Sequence, residues 1–265
     1  MSISIATGHV TDFVLVVAVM ITSILFLRIG RKYKLSIRKM AALDAIEEMV
    51  GRCTEMGKPF FLLSGSSTTL VGRKSAQTIA ALNIASYVTE FCAKTKTKVI
   101  SVTASTQIIP LTVDIMRTEY IKAGALDAFD PVDQVRFPGN YPIITKYSSG
   151  AGLYMETEGV GAASLVGCWE AQDKLMLGEI ASRLGAMSIG GSENIDGMPQ
   201  HAVTNDYLLI AEECYAAGAY ISKDPAMLGT LITTDIYRVI ISALLIIGII
   251  LSVIGSSYLV DLVAL

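Results

Sequence analysis

The chain has 265 residues, of which 52% are hydrophobic and 17% charged, and a formal net charge of −3. Its four cysteines (Cys53, Cys92, Cys168, Cys214) are far apart and form no C-x-x-C, which excludes a zinc ribbon or iron–sulfur cluster and fits reduced thiols in a cytoplasmic domain. The near-neutral total hides an acidic middle: residues 40–236 carry 14 Lys+Arg against 22 Asp+Glu, and 14 − 22 = −8. With no basic-aromatic stripe, that balance argues against nucleic acid as a partner.

Residues 1–12 read as an external N-terminus, and 13–30 as a first transmembrane helix built on the apolar run FVLVVAVMITSILFL at 13–27. A cleaved signal peptide would need basic residues before the run, but Asp12 precedes it, and Arg28, Arg31, Lys32, Lys34, Arg38 and Lys39 follow. The expectation is a retained anchor with a basic juxtamembrane segment at 31–39 against lipid headgroups.

Next come a helix over 35–56, an apolar strand at 60–63, a Ser/Thr/Gly loop, and a helix over 75–93. A second β-rich run at 98–103 is followed by a helix over 107–123 that stops at Gly124. A short strand at 134–137, a helix over 143–156, strands at 161–166 and 186–189, a helix over 170–184 and a final helix over 208–217 complete the middle. Strand, polar loop, helix, repeated, is the pattern of a parallel sheet with crossover helices, and short apolar strands imply burial on both faces. The expected fold is α/β, a Rossmann-like three-layer domain at 40–236 flanked by two transmembrane helices.

Residues 239–260 (VIISALLIIGIILSVIGSSYLV) carry no charge. At 1.5 Å per residue they reach about 33 Å, the thickness of a bilayer core. A second span at 237–260 then leaves 261–265 as an external C-terminus. Basic flanks on the inner side of both spans place the middle in the cytoplasm and both termini outside, as a two-pass protein of the plasma membrane. Gly248, Ser252 and Ser256 recur every four residues, a small-residue face suited to helix association.

In open parallel sheets ligands bind beyond the carboxyl ends of the strands. The loops placed there contribute Ser64, Gly65, Ser66, Ser67, Thr68 and Arg73 after the first strand, Ser105 and Thr106 after the second, and Gly191 and Ser192 after the strand at 186–189. A further strand-end loop lies at 167–170. The first loop is neither G-x-x-x-x-G-K-[ST] nor G-x-G-x-x-G, although Lys74 and a helix start follow it. The segment 192–197 lacks the acidic alternation of a calcium loop. His201 has no G-x-S-x-G partner, so it reads as a surface or packing residue. Glu212 and Glu213 point about 100° apart on a helix and make no acid/base pair. No catalytic residues, metal or cofactor are implied.

Several segments resemble an uncharacterised family of archaeal and bacterial membrane proteins carrying a domain of unknown function. They are AIEEMVGR at 45–52 with EMGKP at 55–59, AQTIAAL at 76–82, VDQVRF at 132–137, GAMSI at 185–189, and DYLLIAEECYAAGAYISKDP at 206–225. The resemblance covers nearly the whole soluble domain and the anchors, and brings no assigned reaction. Two functions follow from the residues. One is a self-assembling scaffold or membrane-complex subunit, with lipid and further copies as partners. The other is a domain that binds a nucleotide or phosphorylated ligand through its strand-end loops.

Overall fold

The first strand, Phe60-Phe61-Leu62-Leu63, is buried along its whole length, and it forms the centre of the molecule's sheet. The structure is a computed structural model, and it describes residues 10–32, 38–72, 74–139, 144–170, 172–194, 197–222 and 225–253. It separates into two units, Arg38–Ile221 and a second made of 1–37 with 222–265.

In chain order the first unit contains α2 (Ala41–Asp44), α3 (Ile46–Met56), β1 (Phe60–Leu63), α4 (Ser75–Thr95), β2 (Val99–Val102) and α5 (Ile109–Lys122). Then follow α6 (Pro131–Gln134), β3 (Val135–Arg136), α7 (Ile144–Glu158), β4 (Ala162–Val166), α8 (Asp173–Arg183), β5 (Met187–Ser192), α9 (Met198–Thr204), β6 (Tyr207–Ile210) and α10 (Glu213–Ser222). The six strands run parallel in the order β3-β2-β1-β4-β5-β6. Phe60 lies beside both Val99 and Ala162, so the strands flanking β1 are in matched register.

Side chains alternate across the sheet. Phe61, Leu63, Ile100, Val102, Ala163 and Leu165 face one side and pack on Tyr147, Ala151 and Met155 of α7 and Leu177 and Ile180 of α8. Leu62, Ser101 and Ser164 face the other, against Ala81 and Ala85 of α4 and Thr112 of α5. Helix, sheet, helix makes three layers. The strand order reverses between β1 and β4, the switch point at which ligands bind in sheets of this order.

Four readings need correction. Residues 208–210 are strand, not helix: β6 occupies Tyr207–Ile210, Ala211 turns the chain with φ of 48°, and α10 starts only at Glu213. Gly191 and Ser192 are not loop residues, because β5 runs through them to Ser192. The helix expected over 35–56 is broken at Ala45 into α2 and α3, and residues 38–40 precede it without helical structure. Two membrane-length helices were expected, and among the described residues one helix is long and apolar enough to cross a bilayer, over Leu231–Leu251.

The second unit pairs α1 (Val10–Lys32) with α11 (Pro225–Val253). The apolar stretch of α1, Phe13–Phe26, reaches only about 21 Å, short of the thickness of a bilayer core. The Tyr237 hydroxyl donates to the Ala18 carbonyl at 3.1 Å and hydrogen-bonds the Thr22 hydroxyl, joining the two helices. Thr22 also bonds back to Ala18 at 2.7 Å. Gly248 is half-buried. It stands about three turns beyond Tyr237, hence on the same face. Ser256, the side chain of Ser252, Arg73 and the terminal segments 1–9 and 254–265 lie outside the described residues.

Candidate functional site

The strand ends form a rim whose two halves differ. Between β1 and β4 the rim is stitched shut. The Ser67 N–H donates to the Cys168 carbonyl at 3.0 Å, and the Cys168 N–H donates to the Ser64 carbonyl at 3.1 Å. Two glycines permit this approach. A Cβ on Gly167 would overlap the Ser64 carbonyl, and one on Gly65, whose φ is +101°, would overlap the Cys168 carbonyl.

Side chains add further ties. Gln77, buried in the first turn of α4, donates to the Gly167 carbonyl at 2.5 Å and to Ser192 Oγ at 3.3 Å. The Glu170 N–H donates to Ser66 Oγ at 3.1 Å, and Ser64 Oγ donates to the Val102 carbonyl at 3.4 Å. Lys74 sits just ahead of α4; its ammonium donates to Ser67 Oγ at 2.7 Å and forms an ion pair with Glu170. That contact holds the Glu170 carboxyl below its ordinary range. Ser64, Gly65, Ser66, Gly191 and Ser192 therefore serve closure: the Gly191 carbonyl accepts from Gly167 N–H at 3.2 Å.

Polar groups continue beneath this half. Ser148 donates to Asp173 Oδ1 at 2.5 Å, and Asp173 and Lys174 are both almost fully buried at the start of α8. His201 on α9 is fully buried and packs edge-on against Trp169 at 6.0 Å. Burial, then the charge of Lys174, lowers His201 to about 4, so its imidazole is neutral near pH 7. The Cys168 thiol is pushed up to about 11 by burial, which leaves it protonated and weakly nucleophilic.

On the other side, between the loops after β1 and β2, the rim is open. Ser67, Thr68, Thr69, Ala104, Ser105, Thr106 and Gln107 line a cleft of about 380 Å³. Five of these seven side chains carry hydroxyls. Thr68 is buried, and among the described residues its Oγ1 has no hydrogen-bond partner. The Ile108 N–H folds back on the Ser105 carbonyl at 3.1 Å, so this wall is also the turn that opens α5. A helix start leaves its first N–H groups without intrahelical acceptors and attracts anions.

Of the residues read as ligand-binding, Ser67, Thr68, Ser105 and Thr106 meet in the cleft, and the others described belong to the closed half. Thr69 and Gln107 line the cleft as well, and their place beside the hydroxyl residues in the same two loops was the available signal. Gln77, Cys168 and Glu170 were not singled out, because their role depends on contacts between residues about ninety or more positions apart.

No curated protein and no solved structure matches this chain. A family model described as a domain of unknown function, DUF6754, matches residues 4–263, nearly the full length, and the chain belongs to that family.

Proposed function

We propose that this protein is a membrane-anchored α/β domain that binds a small phosphate-bearing ligand in the hydroxyl cleft between the loops after β1 and β2. The observation that carries this reading is the cleft itself: five hydroxyl side chains, the start of α5, and a buried Thr68 hydroxyl without a partner among the described residues. A buried polar group without a partner costs stability, about 1–3 kcal/mol, and such groups persist where a ligand or water completes them. The volume lies at the small end of ligand pockets, suited to a single phosphorylated group rather than a dinucleotide. The stitched β1–β4 half agrees, since that is where a dinucleotide's pyrophosphate would sit.

The anchor is α11, with α1 as its partner and the basic flanks directing the α/β unit to the cytoplasm. Full-length protein in lipid nanodiscs should melt higher with inorganic phosphate or AMP, and Thr68→Val with Ser105→Ala should abolish that shift. An unchanged melting temperature with every phosphorylated compound tried would overturn the reading.

A second reading, assembly through the membrane helices, draws on Gly248. Its place on the Tyr237 face supports close pairing of α1 with α11, and a further copy could use the same small-residue face. Gly248→Leu should lower the detergent-solubilised mass measured by light scattering if copies associate there. An unchanged mass leaves the face to the α1–α11 pair.

A further inference from the structure

The cleft's described lining carries no charged side chain, yet a phosphate needs a counter-charge. Among the described residues, a cation stands one hydroxyl away. Lys74 Nζ donates at 2.7 Å to Ser67 Oγ, and Ser67 lines the cleft. The ammonium is at present held at the cleft's edge by the Glu170 carboxylate.

We propose that Lys74 is the cation this cleft uses for the ligand's phosphate, and that Glu170 is a resident competitor which the phosphate displaces. The proposal rests on the ligand-binding reading above and names the residues that give the site its charge. Three observations support the exchange. First, the ion pair is partly open to solvent, with Lys74 at 37% and Glu170 at 28% side-chain exposure, so it contributes little and either end can move. A phosphate brings more charge and three acceptor oxygens to the same ammonium. Second, Thr68 is nine-tenths buried and lines the cleft, and among the described residues its Oγ1 has no partner, which marks a place in the cleft where an acceptor or donor is missing. Third, the displaced carboxylate is already partly exposed and has solvent to turn into, while the Glu170 backbone stays fixed by Ser66. Exchange therefore needs a side-chain rotation and no rearrangement of the sheet.

The test uses full-length protein in nanodiscs, titrated calorimetrically with inorganic phosphate. Glu170→Gln should bind about fivefold more tightly, the loss of a partly exposed competing pair. Lys74→Met should bind about tenfold or more weakly, the loss of a charge-assisted hydrogen bond. Thr68→Val reports on the cleft independently. If Thr68→Val weakens binding while Lys74→Met and Glu170→Gln match the parent, Lys74 is not the ligand's cation and only the cleft reading survives. If Lys74→Met weakens binding but Glu170→Gln does not tighten it, Glu170 is no competitor. If Thr68→Val binds like the parent, the cleft reading fails whatever Lys74 does. If parent and Glu170→Gln both fail to bind, both readings fall, whereas binding by Glu170→Gln alone supports the competitor.

Discussion

The two halves of the strand-end rim use the same residue types for opposite purposes. Serines, threonines and glycines after β1 both seal the β1–β4 crevice and line the β1–β2 cleft. The difference lies in what they meet. In the sealed half the Ser67 and Cys168 N–H groups find backbone carbonyls across the switch point and two glycines let the chains touch, while Asp173 Oδ2 and His201 Nε2 beneath have no partner among the described residues. In the open half hydroxyls face space, and one is buried without a partner. Paired loop groups hold the crevice closed, whereas an unpaired hydroxyl at an open cleft has room to meet a ligand, so the same chemistry reads as structure on one side and as a site on the other.

The largest effect should come from breaking the sealed half at Gly167. A Cβ there would overlap backbone atoms of Ser64, which cannot rotate aside as a side chain could. Gly167→Ala should destabilise by about 4 kcal/mol, in the range reserved for buried strain. Ser105→Ala, in the open half, should stay within about 1 kcal/mol by the same scale. Melting of the two variants side by side checks this, and similar values would mean that the halves do not differ.

Acid should attack the sealed half next, through His201. Its folded-state value is lowered to about 4 from an ordinary 6.5, so between these limits the unfolded chain binds a proton that the folded chain refuses. Stability contributed by the neutral imidazole is full above about pH 6.5 and is lost as pH falls toward 4, about 3 kcal/mol in all. Protonation would place a buried charge against Trp169, in the β4 loop that closes the crevice. A melting series over pH 4–7 should slope in the parent and flatten in His201→Gln. Parallel slopes would remove His201 from the account.

A smaller loss, about 2 kcal/mol, should follow Gln77→Leu, which keeps the volume but takes the donor from the buried Gly167 carbonyl and leaves Ser192 Oγ with only the Asn194 N–H. It should also speed amide exchange at Ser67 and Cys168 without touching the strands. Unchanged exchange there would show that the backbone stitches alone keep the half closed.

These differences were only partly legible in the sequence. Short apolar runs bounded by polar loops mark β1, β2 and β4, because strands buried on both faces must be apolar throughout. Once those strands are ordered, Ser67, Thr68, Ser105 and Thr106 fall at their carboxyl ends without further information. β6 was hidden because Tyr207–Ile210 runs into an apolar helix with no Gly or Pro between them; the break is at Ala211, a residue type that does not announce a left-handed turn. β5 looked shorter because Gly190 and Gly191 resemble loop residues. The structure gives another reason for the first of them: a Cβ on Gly190 would fall 2.6 Å from His201 Nδ1. The sealing of the crevice was not legible at all, since it joins backbone atoms of loops about a hundred residues apart.

The smallest effect on stability is the most telling for the open half. Thr68→Val replaces a buried hydroxyl by a methyl of the same shape. Had the hydroxyl been bonded, the change would cost about 1 kcal/mol; with no partner it removes a desolvation penalty instead. Thr68→Val should therefore melt at or slightly above the parent, by up to about 1 kcal/mol, while its phosphate-induced shift disappears. The sealed half should show no such opposition at Gly167 or Gln77, where the substitutions above lower stability. A side chain that a folded protein would be more stable without, and that binding needs, is the signature of a site. If Thr68→Val instead melts lower, the hydroxyl has a structural partner and the cleft loses its strongest argument.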